Sequence, residues 1–251
     1  MKICVVGNGN VGAHLFKAFR EVNADVYVYS SRQIEIVPTD GDVYLVAVRD
    51  DAVSQVVSEI ARLDFQKDVI LAHTSGSVEL TALKRSAGSN GKIKFGVFYP
   101  LQTFTKGQPM DYASLPFLIE GEEKETESVL RNLAEKISNR VTVADSKIRG
   151  DYHLGAVIAC NFSNYLCGLA DEYLRDNNLD FKMLLPLMRQ TIEKLENITP
   201  AEAQTGPAVR GDESIVGAHL SKLDDYPEIK DIYSRISNNI SNKGIDYEQI
   251  G

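Results

Sequence analysis

The chain has 251 residues and a formal net charge of −8, and 43% of its residues are hydrophobic and 25% are charged. This composition is typical of a folded globular protein and argues against disorder. The acidic balance disfavours a nucleic-acid partner, because phosphate backbones are repelled. No membrane partner is expected, because no run approaches the roughly 20 apolar residues that span a bilayer.

Short β-branched runs alternate with amphipathic helical stretches through the first part of the chain. Strands are predicted at 3–6, 26–29, 43–48, 69–72, 93–98, 115–119 and 141–143, and helices at 11–22, 52–63, 78–86 and 122–137. This alternation predicts an α/β fold, a Rossmann-like, doubly wound and mostly parallel sheet with helices on both faces. Segment 31–42 is short and contains Pro38 and Gly41, so the usual crossover helix there is expected to be missing or vestigial.

The β pattern stops after about Asp145, and the rest of the chain is predicted to be helical. Helices are predicted at 151–174 and 181–195, after the N-cap Thr199 with Pro200, after Asp212, and from Tyr226 onward, with a loop at 205–211. We therefore predict a dinucleotide-binding domain at 1–146 and a smaller all-α domain at 147–251. The second domain is expected to bind substrate and to form a homodimer, because its long helices offer more apolar surface than about 100 residues bury alone.

Three cysteines, Cys4, Cys160 and Cys167, lie within apolar runs, and their spacing matches no metal site. We expect them to be reduced and buried. Residues 1–6 are typical of a strand and run directly into glycines, which is too short for a signal peptide, so a cytoplasmic location is expected.

The first strand ends in a segment that matches the pattern G-x-G-x-x-G: Gly7, Asn8, Gly9, Asn10, Val11 and Gly12. The pattern alone is weak, but here it follows a strand and opens a helix, as dinucleotide binding requires. The first glycine makes the tight turn, the second lets a diphosphate approach the backbone, and the third lets helix and strand pack closely. The helix N-terminus then faces the phosphate charge. A glycine-rich turn without a ligand is the alternative.

The end of the second strand indicates which dinucleotide binds. An NAD site places Asp or Glu there to bind the ribose hydroxyls, whereas this chain has Ser30, Ser31 and Arg32. Two hydroxyls and a guanidinium can hold a 2′-phosphate through charge-assisted hydrogen bonds, which predicts NADP as the cofactor. Alternatively, Arg32 is a solvated loop residue.

Three further segments follow strands and are expected at the same edge of the sheet: 49–51, 73–77 and 99–104. Val48 and His73 are predicted to border the cofactor, and Ser75 to contact the substrate. Each segment also has a structural alternative. Asp50 or Asp51 can cap the next helix, and segment 73–77 can be a helix-capping turn that ends at Ser77. Segment 99–104 can simply terminate the fifth strand.

Polar residues interrupt the apolar helix predicted at the start of the second domain. His153 and Asn164 share one stripe of that helix with Asn161 beside it. Buried polar groups left unpaired cost about 1–3 kcal/mol each, so either hydrogen bonds to the first domain or a substrate pocket is expected to satisfy them. We predict that His153 donates a proton close to the nicotinamide, because imidazole exchanges protons near neutral pH. Asn161, Asn164 and Ser75 are then predicted to orient the substrate.

Two cations are weaker candidates. Lys147 is a reserve proton donor, although it lies about 120° from His153 if one helix runs through both. Arg210 is expected either to hold a substrate anion or, in the structural alternative, to pair with Asp212 or with a partner subunit.

These motifs together resemble a known family. The segments that carry the resemblance are 7–12, 46–51, 73–77, 100–104, 152–161 and 205–212. The chain is similar to NADP oxidoreductases with the Rossmann-like domain of deazaflavin-dependent NADP oxidoreductases and pyrroline-5-carboxylate reductase, followed by an uncharacterised helical domain. That helical domain is similar to the C-terminal region of 6-phosphogluconate and β-hydroxyacid dehydrogenases. The sequence departs from this pattern at Tyr99, where the family has His, and at His153 and Asn161, the nearest counterparts of a Lys and an Asn.

The resemblance implies an enzyme, an NADP(H)-dependent oxidoreductase acting on a small-molecule substrate. The expected reaction is hydride transfer to or from a small, anionic carbonyl or imine compound. A non-catalytic NADP(H)-binding sensor is the alternative, and it would account for the missing Lys. A methyltransferase is disfavoured by Ser30, Ser31 and Arg32, because S-adenosylmethionine carries no phosphate.

Overall fold

The computed structural model describes residues 1–88 and 90–242. The chain divides into two compact units, of which the first is Met1–Asn161 and the second begins at Phe162. The domain limits predicted above, 1–146 and 147–251, differ from this division by residues 147–161, which lie in the first unit and include most of the helix Ser146–Ala156. Within the described residues, no helix is both long enough and apolar enough to cross a membrane.

One sheet of seven strands, counted over the described residues, forms the centre of the first unit. The strands are β1 (Lys2–Val6), β2 (Asp25–Tyr29), β3 (Val43–Val46), β4 (Val69–His73), β5 (Ile93–Pro100), β6 (Phe117–Gly121) and β7 (Val141–Val143). Their order is β2-β1-β3-β4-β5-β6-β7, and all neighbours are parallel except β5 and β6. The predicted Rossmann-like, mostly parallel sheet is confirmed, and β6 and β7 run opposite to the first five strands.

The helices of the first unit are α1 (Asn10–Glu21), α2 (Asp50–Ile60), α3 (Leu80–Ala87), α4 (Lys124–Ala134) and α5 (Ser146–Ala156). Each of the first four lies within three residues of its predicted bounds. Between β2 and β3 the chain forms one 3₁₀ turn, Ile34–Ile36. The expectation of a vestigial crossover is therefore confirmed.

The core lies on both faces of the sheet because the central strands carry apolar side chains on both faces, as β3 does at all four of its positions. Val6 packs into one cluster with Tyr44 and Leu71, whereas its neighbour Val5 packs into another with Leu45. Burial on both faces is usual for a parallel sheet covered by helices, and it explains why these strands read as continuous apolar runs.

Up to residue 242, every regular element of the second unit is helical, as predicted. Its helices are α6 (Ser163–Asp176), α7 (Leu185–Glu193), α8 (Pro200–Ala203), α9 (Pro207–Arg210), α10 (Glu213–Lys222) and α11 (Pro227–Asn242). Thr199 is the N-cap of α8 as predicted, and its hydroxyl accepts the amide hydrogen of Glu202 at 3.3 Å.

Two predictions in this region are wrong, whereas the helix predicted after Asp212 is confirmed. The helix predicted at 151–174 contains a π-helical turn, Val157–Phe162, which changes the period on which its polar stripe was drawn. The loop predicted at 205–211 contains α9, which proline starts and Gly211 ends at a φ of 68°. Asp212 holds the N-cap position of α10 but makes no capping hydrogen bond, because its carboxylate pairs with Arg210 at 2.8 Å.

The prediction that all three cysteines are buried is also wrong. Cys4 is buried in β1, and burial raises the pKa of its thiol to about 12. Cys160 is exposed and Cys167 is half-buried. The apolar run around Cys160 therefore does not indicate burial within this chain.

Candidate cofactor and active site

Five of the segments singled out as ligand-binding candidates follow strands at one edge of the sheet. Because β1 to β5 are parallel, their carboxyl ends share that edge, and each is followed by a segment singled out in the sequence. The strand order reverses between β1 and β3, since the chain passes from β1 to β2 on one side and continues with β3 on the other. In open α/β sheets ligands bind in the crevice at such a point.

The glycine segment has the shape that a diphosphate requires. Gly7 has a φ of 120°, and a Cβ there would lie 2.2 Å from the carbonyl oxygen of Ala47. A Cβ at Gly12 would lie 1.9 Å from the carbonyl oxygen of Gly7, so α1 can pack this closely on the loop only with glycine. Gly9, in contrast, has open space where its side chain would be. The first and third glycines are therefore needed for packing, and the second leaves room for a ligand.

The N-terminus of α1 is open to an anion. Gly9 is its N-cap, no side chain caps it, and its first turn carries no acidic residue. The first amide groups of a helix lack intrahelical partners and carry a partial positive charge. Asn8, Gly9 and Asn10 are exposed, and Val11 is half-buried. Val48 lies beside Gly7, with its Cγ1 3.2 Å from the position of a Cβ at Gly7. These residues fit the diphosphate of a dinucleotide.

The end of β2 lies next to this loop, since the amide of Gly7 donates to the carbonyl of Tyr29 at 2.9 Å. Ser30 and Ser31 are half-buried and Arg32 is exposed. The hydroxyl of Ser30 accepts the backbone amide hydrogen of Arg32 at 3.2 Å. Within the described residues the guanidinium of Arg32 has no partner, so it is available to a 2′-phosphate. That contact stays a prediction.

Farther along the edge, Tyr99 and His153 form a hydrogen-bonded pair. The hydroxyl of Tyr99 lies 3.0 Å from Nδ1 of His153, and the two rings meet edge to face with centroids 5.9 Å apart. Tyr99 is buried at the end of β5, whereas His153 on α5 is half-buried. Burial and, to a lesser degree, Asp50 raise the pKa of Tyr99 to about 12, so its hydroxyl is protonated at neutral pH.

The pair packs directly on the loop after β4. A Cβ at Gly76 would lie 2.6 Å from Nδ1 of His153 and 2.7 Å from Cζ of Tyr99. Both rings therefore occupy space that only glycine leaves free. The segment 73–77 thus takes part in the site as a backbone surface for the two rings.

A buried arginine fixes α5 in this position. Arg149, one turn before His153, is 1% exposed and forms an ion pair with Glu120 of β6. It also donates to the carbonyl of Val78 at 2.6 Å and to the hydroxyl of Ser146 at 3.2 Å. These bonds tie α5 to β6 and to the loop before α3. The sequence alone indicates neither the role of Arg149 nor the pairing of Tyr99 with His153, because each contact joins residues far apart in the chain.

Two of the predicted site residues hold the loop after β4. His73 is fully buried, its Nδ1 accepts the amide hydrogen of Ser75 at 3.0 Å, and its Nε2 has no partner within the described residues. Burial, with a smaller contribution from Arg149, lowers the pKa of His73 to about 3, so the ring is neutral. Its ring is out of reach of a ligand in this conformation, because the residue is fully buried.

Ser75 is buried, and its hydroxyl accepts the amide hydrogens of Ser77 at 3.1 Å and Val78 at 3.0 Å. The alternative in which Ser77 caps the next helix is wrong, because Glu79 is the N-cap of α3. Contact between Ser75 and a substrate stays a prediction.

The capping alternative for Asp50 and Asp51 is also wrong. Arg49 is the N-cap of α2, and its guanidinium pairs with Asp51 at 3.0 Å. Asp50 accepts a hydrogen bond from the hydroxyl of Ser77. The segment after β3 is thereby tied to the loop after β4.

Beside the Tyr99–His153 pair lies an open cleft of about 960 Å³ within the first unit. Its lining residues include Leu101, Gln102, Asp151, Tyr152 and Asn161. The prediction of a buried polar stripe is wrong, because Asn161 and Asn164 are exposed and His153 is half-buried. Asn164 lies in the second unit. Lys147 is exposed and does not line the cleft, and Arg210 pairs with Asp212, which supports the structural alternative for that residue.

Comparison with known proteins assigns the family. Residues 115–240, half of the chain, match the family described as a domain of unknown function, DUF2520. The chain belongs to the DUF2520 family. The DUF2520 match contains His153 and Arg149 but not the glycine segment or Tyr99. No curated protein matches the sequence.

Solved structures resemble this DUF2520 protein over nearly its full length. A protein from Bacteroides fragilis assigned to the NADP oxidoreductases is 32% identical, with a TM-score of 0.88 over 96% of this chain and 98% of that one. An imine reductase from Myxococcus stipitatus in complex with NADP⁺ is 12% identical, with a TM-score of 0.61 over 100% and 95%. A pyrroline carboxylate reductase from Plasmodium falciparum with NADP bound is 12% identical, with a TM-score of 0.60 over 97% and 99%. The last two establish similarity of fold.

Proposed function

We propose that this chain is an NADP(H)-dependent oxidoreductase that transfers a hydride to or from a small, anionic carbonyl or imine compound. The observation that carries the proposal is the glycine loop, where Gly7 and Gly12 are required by packing while Gly9 leaves the N-terminus of α1 open. The B. fragilis relative, named as an NADP oxidoreductase, supports the cofactor. The names of the two reductases support a carbonyl or imine substrate, and that of the second includes a carboxylate.

In this proposal the cofactor binds across the carboxyl edge of the sheet. The amides of the loop and of α1 bind the diphosphate, and Ser30, Ser31 and Arg32 bind the 2′-phosphate. When bound, the cofactor supplies or accepts the hydride. The chain must supply the proton that accompanies it.

His153 is proposed to exchange that proton through Nε2. Its Nδ1 is bonded to the hydroxyl of Tyr99, which can donate to the neutral ring or accept from the protonated one. The contact therefore holds the ring in both protonation states. In the reducing direction the imidazolium releases the Nε2 proton to the substrate oxygen or nitrogen and becomes neutral. Asn161 lines the same cleft and, with Ser75 and Asn164, is proposed to orient the substrate.

Calorimetric titration of NADPH and NADH tests the cofactor assignment. Arg32→Ala is expected to weaken NADPH binding by about ten- to a hundredfold, the worth of a charge-assisted hydrogen bond, and to leave NADH binding unchanged. Equal losses for the two cofactors would refute the role of Arg32. Failure of the wild-type protein to bind either cofactor would refute the proposed function.

We further propose that the second unit forms a homodimer and contributes to substrate binding, within the predicted division into domains at about residue 147. Large apolar side chains are exposed there, among them Met183 (79%), Leu187 (65%) and Ile192 (66%). Side chains of this size are rarely left exposed together unless a partner covers them. Light scattering at micromolar concentration tests this, and a monomer mass would contradict it. A cytoplasmic location belongs to the same proposal, and cell fractionation tests it.

A further inference from the structure

The connection between β5 and β6 places a lysine against the glycine loop. A tight turn at Thr105–Gln108 is closed by a hydrogen bond from the amide of Gln108 to the carbonyl of Thr105 at 3.2 Å. Gly107 has a φ of 84°, which suits glycine at the third position of a type II turn. Lys106 occupies the second position, at the tip, and its Nζ donates to the carbonyl of Asn8 at 3.2 Å.

A buried histidine of α1 anchors this turn. His14 is 3% exposed, its Nε2 lies 2.8 Å from the carbonyl oxygen of Thr105, and its Nδ1 lies 2.9 Å from the hydroxyl of Tyr112. A carbonyl can only accept, so Nε2 of His14 carries a hydrogen and donates it to Thr105. The ring of Phe104 lies beside that of His14, with centroids 5.1 Å apart. Phe104 and Thr105, before Lys106, and Tyr112, after it, therefore all contact α1 through His14.

From this arrangement we infer that Lys106 binds the diphosphate of the cofactor; the inference rests on the proposed function. An ammonium has three donor hydrogens, and the carbonyl of Asn8 uses one. Two remain for phosphate oxygens beside the amides of α1. Because the net charge of −8 repels anions, a local cation would add to the attraction that the amides of α1 provide. Lys106 is the side-chain cation that contacts the glycine loop in the part of the chain that the structure describes. Arg32, by contrast, is assigned to the 2′-phosphate.

Lys106→Met tests the inference by binding rather than by turnover. The variant is expected to bind NADPH and NADH about tenfold more weakly, whereas Arg32→Ala affects NADPH alone. Lys124→Met is the matched control, because it removes the same charge at the start of α4, which follows an antiparallel strand and so lies at the opposite edge of the sheet. It should bind both cofactors normally.

Displacement of NADPH by two fragments locates the contact. ADP carries the diphosphate without the 2′-phosphate, and adenosine 2′-monophosphate carries only the latter. Lys106→Met should weaken ADP about tenfold and leave adenosine 2′-monophosphate unchanged, and Arg32→Ala should do the reverse. Equal weakening of both fragments by Lys106→Met would overturn the inference.

Two more substitutions separate charge from local structure. Lys106→Arg keeps the charge and should retain most of the affinity, whereas Lys106→Gln keeps a donor for Asn8 but should bind as weakly as Lys106→Met. The salt dependence of the dissociation constant should also be shallower in the two uncharged variants. If Lys106→Gln bound ADP like the wild type, Lys106 would only brace the loop. If the wild type bound ADP and NADPH while Lys106→Met did so equally well, this inference alone would fall.

Discussion

Gly76→Ala tests most sharply how the Tyr99–His153 pair is packed. The added methyl carbon would lie 2.6 and 2.7 Å from atoms of the His153 ring and 2.7 Å from Cζ of Tyr99. Tyr99 is 8% exposed and cannot move freely, so the half-buried His153 must give way. Overpacking of this kind costs about 1–3 kcal/mol. We therefore expect a loss of unfolding free energy in this range, together with loss of the 3.0 Å hydrogen bond.

Gly150→Ala is the control, because Gly150 lies in α5 with His153 but has open space where a side chain would be. Alanine should stabilise α5 by about 0.5–1 kcal/mol. Chemical denaturation gives both free energies, and NMR of ¹⁵N-labelled histidine reports the ring of His153. Unchanged stability and unchanged His153 resonances in Gly76→Ala would refute the packing described here, as would equal effects of the two substitutions.

Three further predictions concern burial, pH and assembly. Arg149→Met is expected to destabilise the fold by about 3–5 kcal/mol, because it strands Glu120 without its buried partner; a loss below 1 kcal/mol in denaturant titration would contradict this. His73 has a folded-state pKa of about 3 against about 6.5 when unfolded, so the unfolded state binds the proton first and stability falls as pH drops from about 6.5 toward 3. Between pH 7 and 5 the free energy of unfolding should fall by about 2 kcal/mol more in the wild type than in His73→Asn, and an equal fall in both proteins would contradict the burial of a neutral His73. Leu187→Glu should shift the dimer to monomer in light scattering, whereas Lys136→Glu, at an exposed position of the first unit, should not; a dimer of unchanged strength would place the interface elsewhere.

Local patterns predicted the fold and the cofactor loop well. Strand–helix alternation and the spacing of Gly7, Gly9 and Gly12 depend on neighbouring residues, so they are visible in the sequence. The missing crossover between β2 and β3 was equally local, since Pro38 and Gly41 lie within the segment. Each of these features depends only on residues that are close together in the sequence.

Features of the site that depend on distant contacts could not be predicted. Tyr99 and His153 are 54 residues apart, and only the topology that ends β5 beside α5 brings them together. His73 carries the same chemistry as His153, yet it is fully buried because β4 is central in the sheet. The π-helical turn at 157–162 likewise moved the polar residues off the stripe that an α-helical period predicts. Burial and pairing, which decide what a histidine can do, are properties of the tertiary structure.

The most direct test of the proposed oxidoreductase is NADPH consumption with pools of keto acids, aldehydes and imines, comparing the wild type with His153→Gln. We expect at least one pool to be reduced by the wild type, and His153→Gln to turn it over about 10²-fold more slowly while binding NADPH with unchanged affinity. A wild-type protein that binds NADPH but consumes it with none of the pools would contradict the account and favour a cofactor sensor. Equal turnover by His153→Gln would remove His153 from the chemistry.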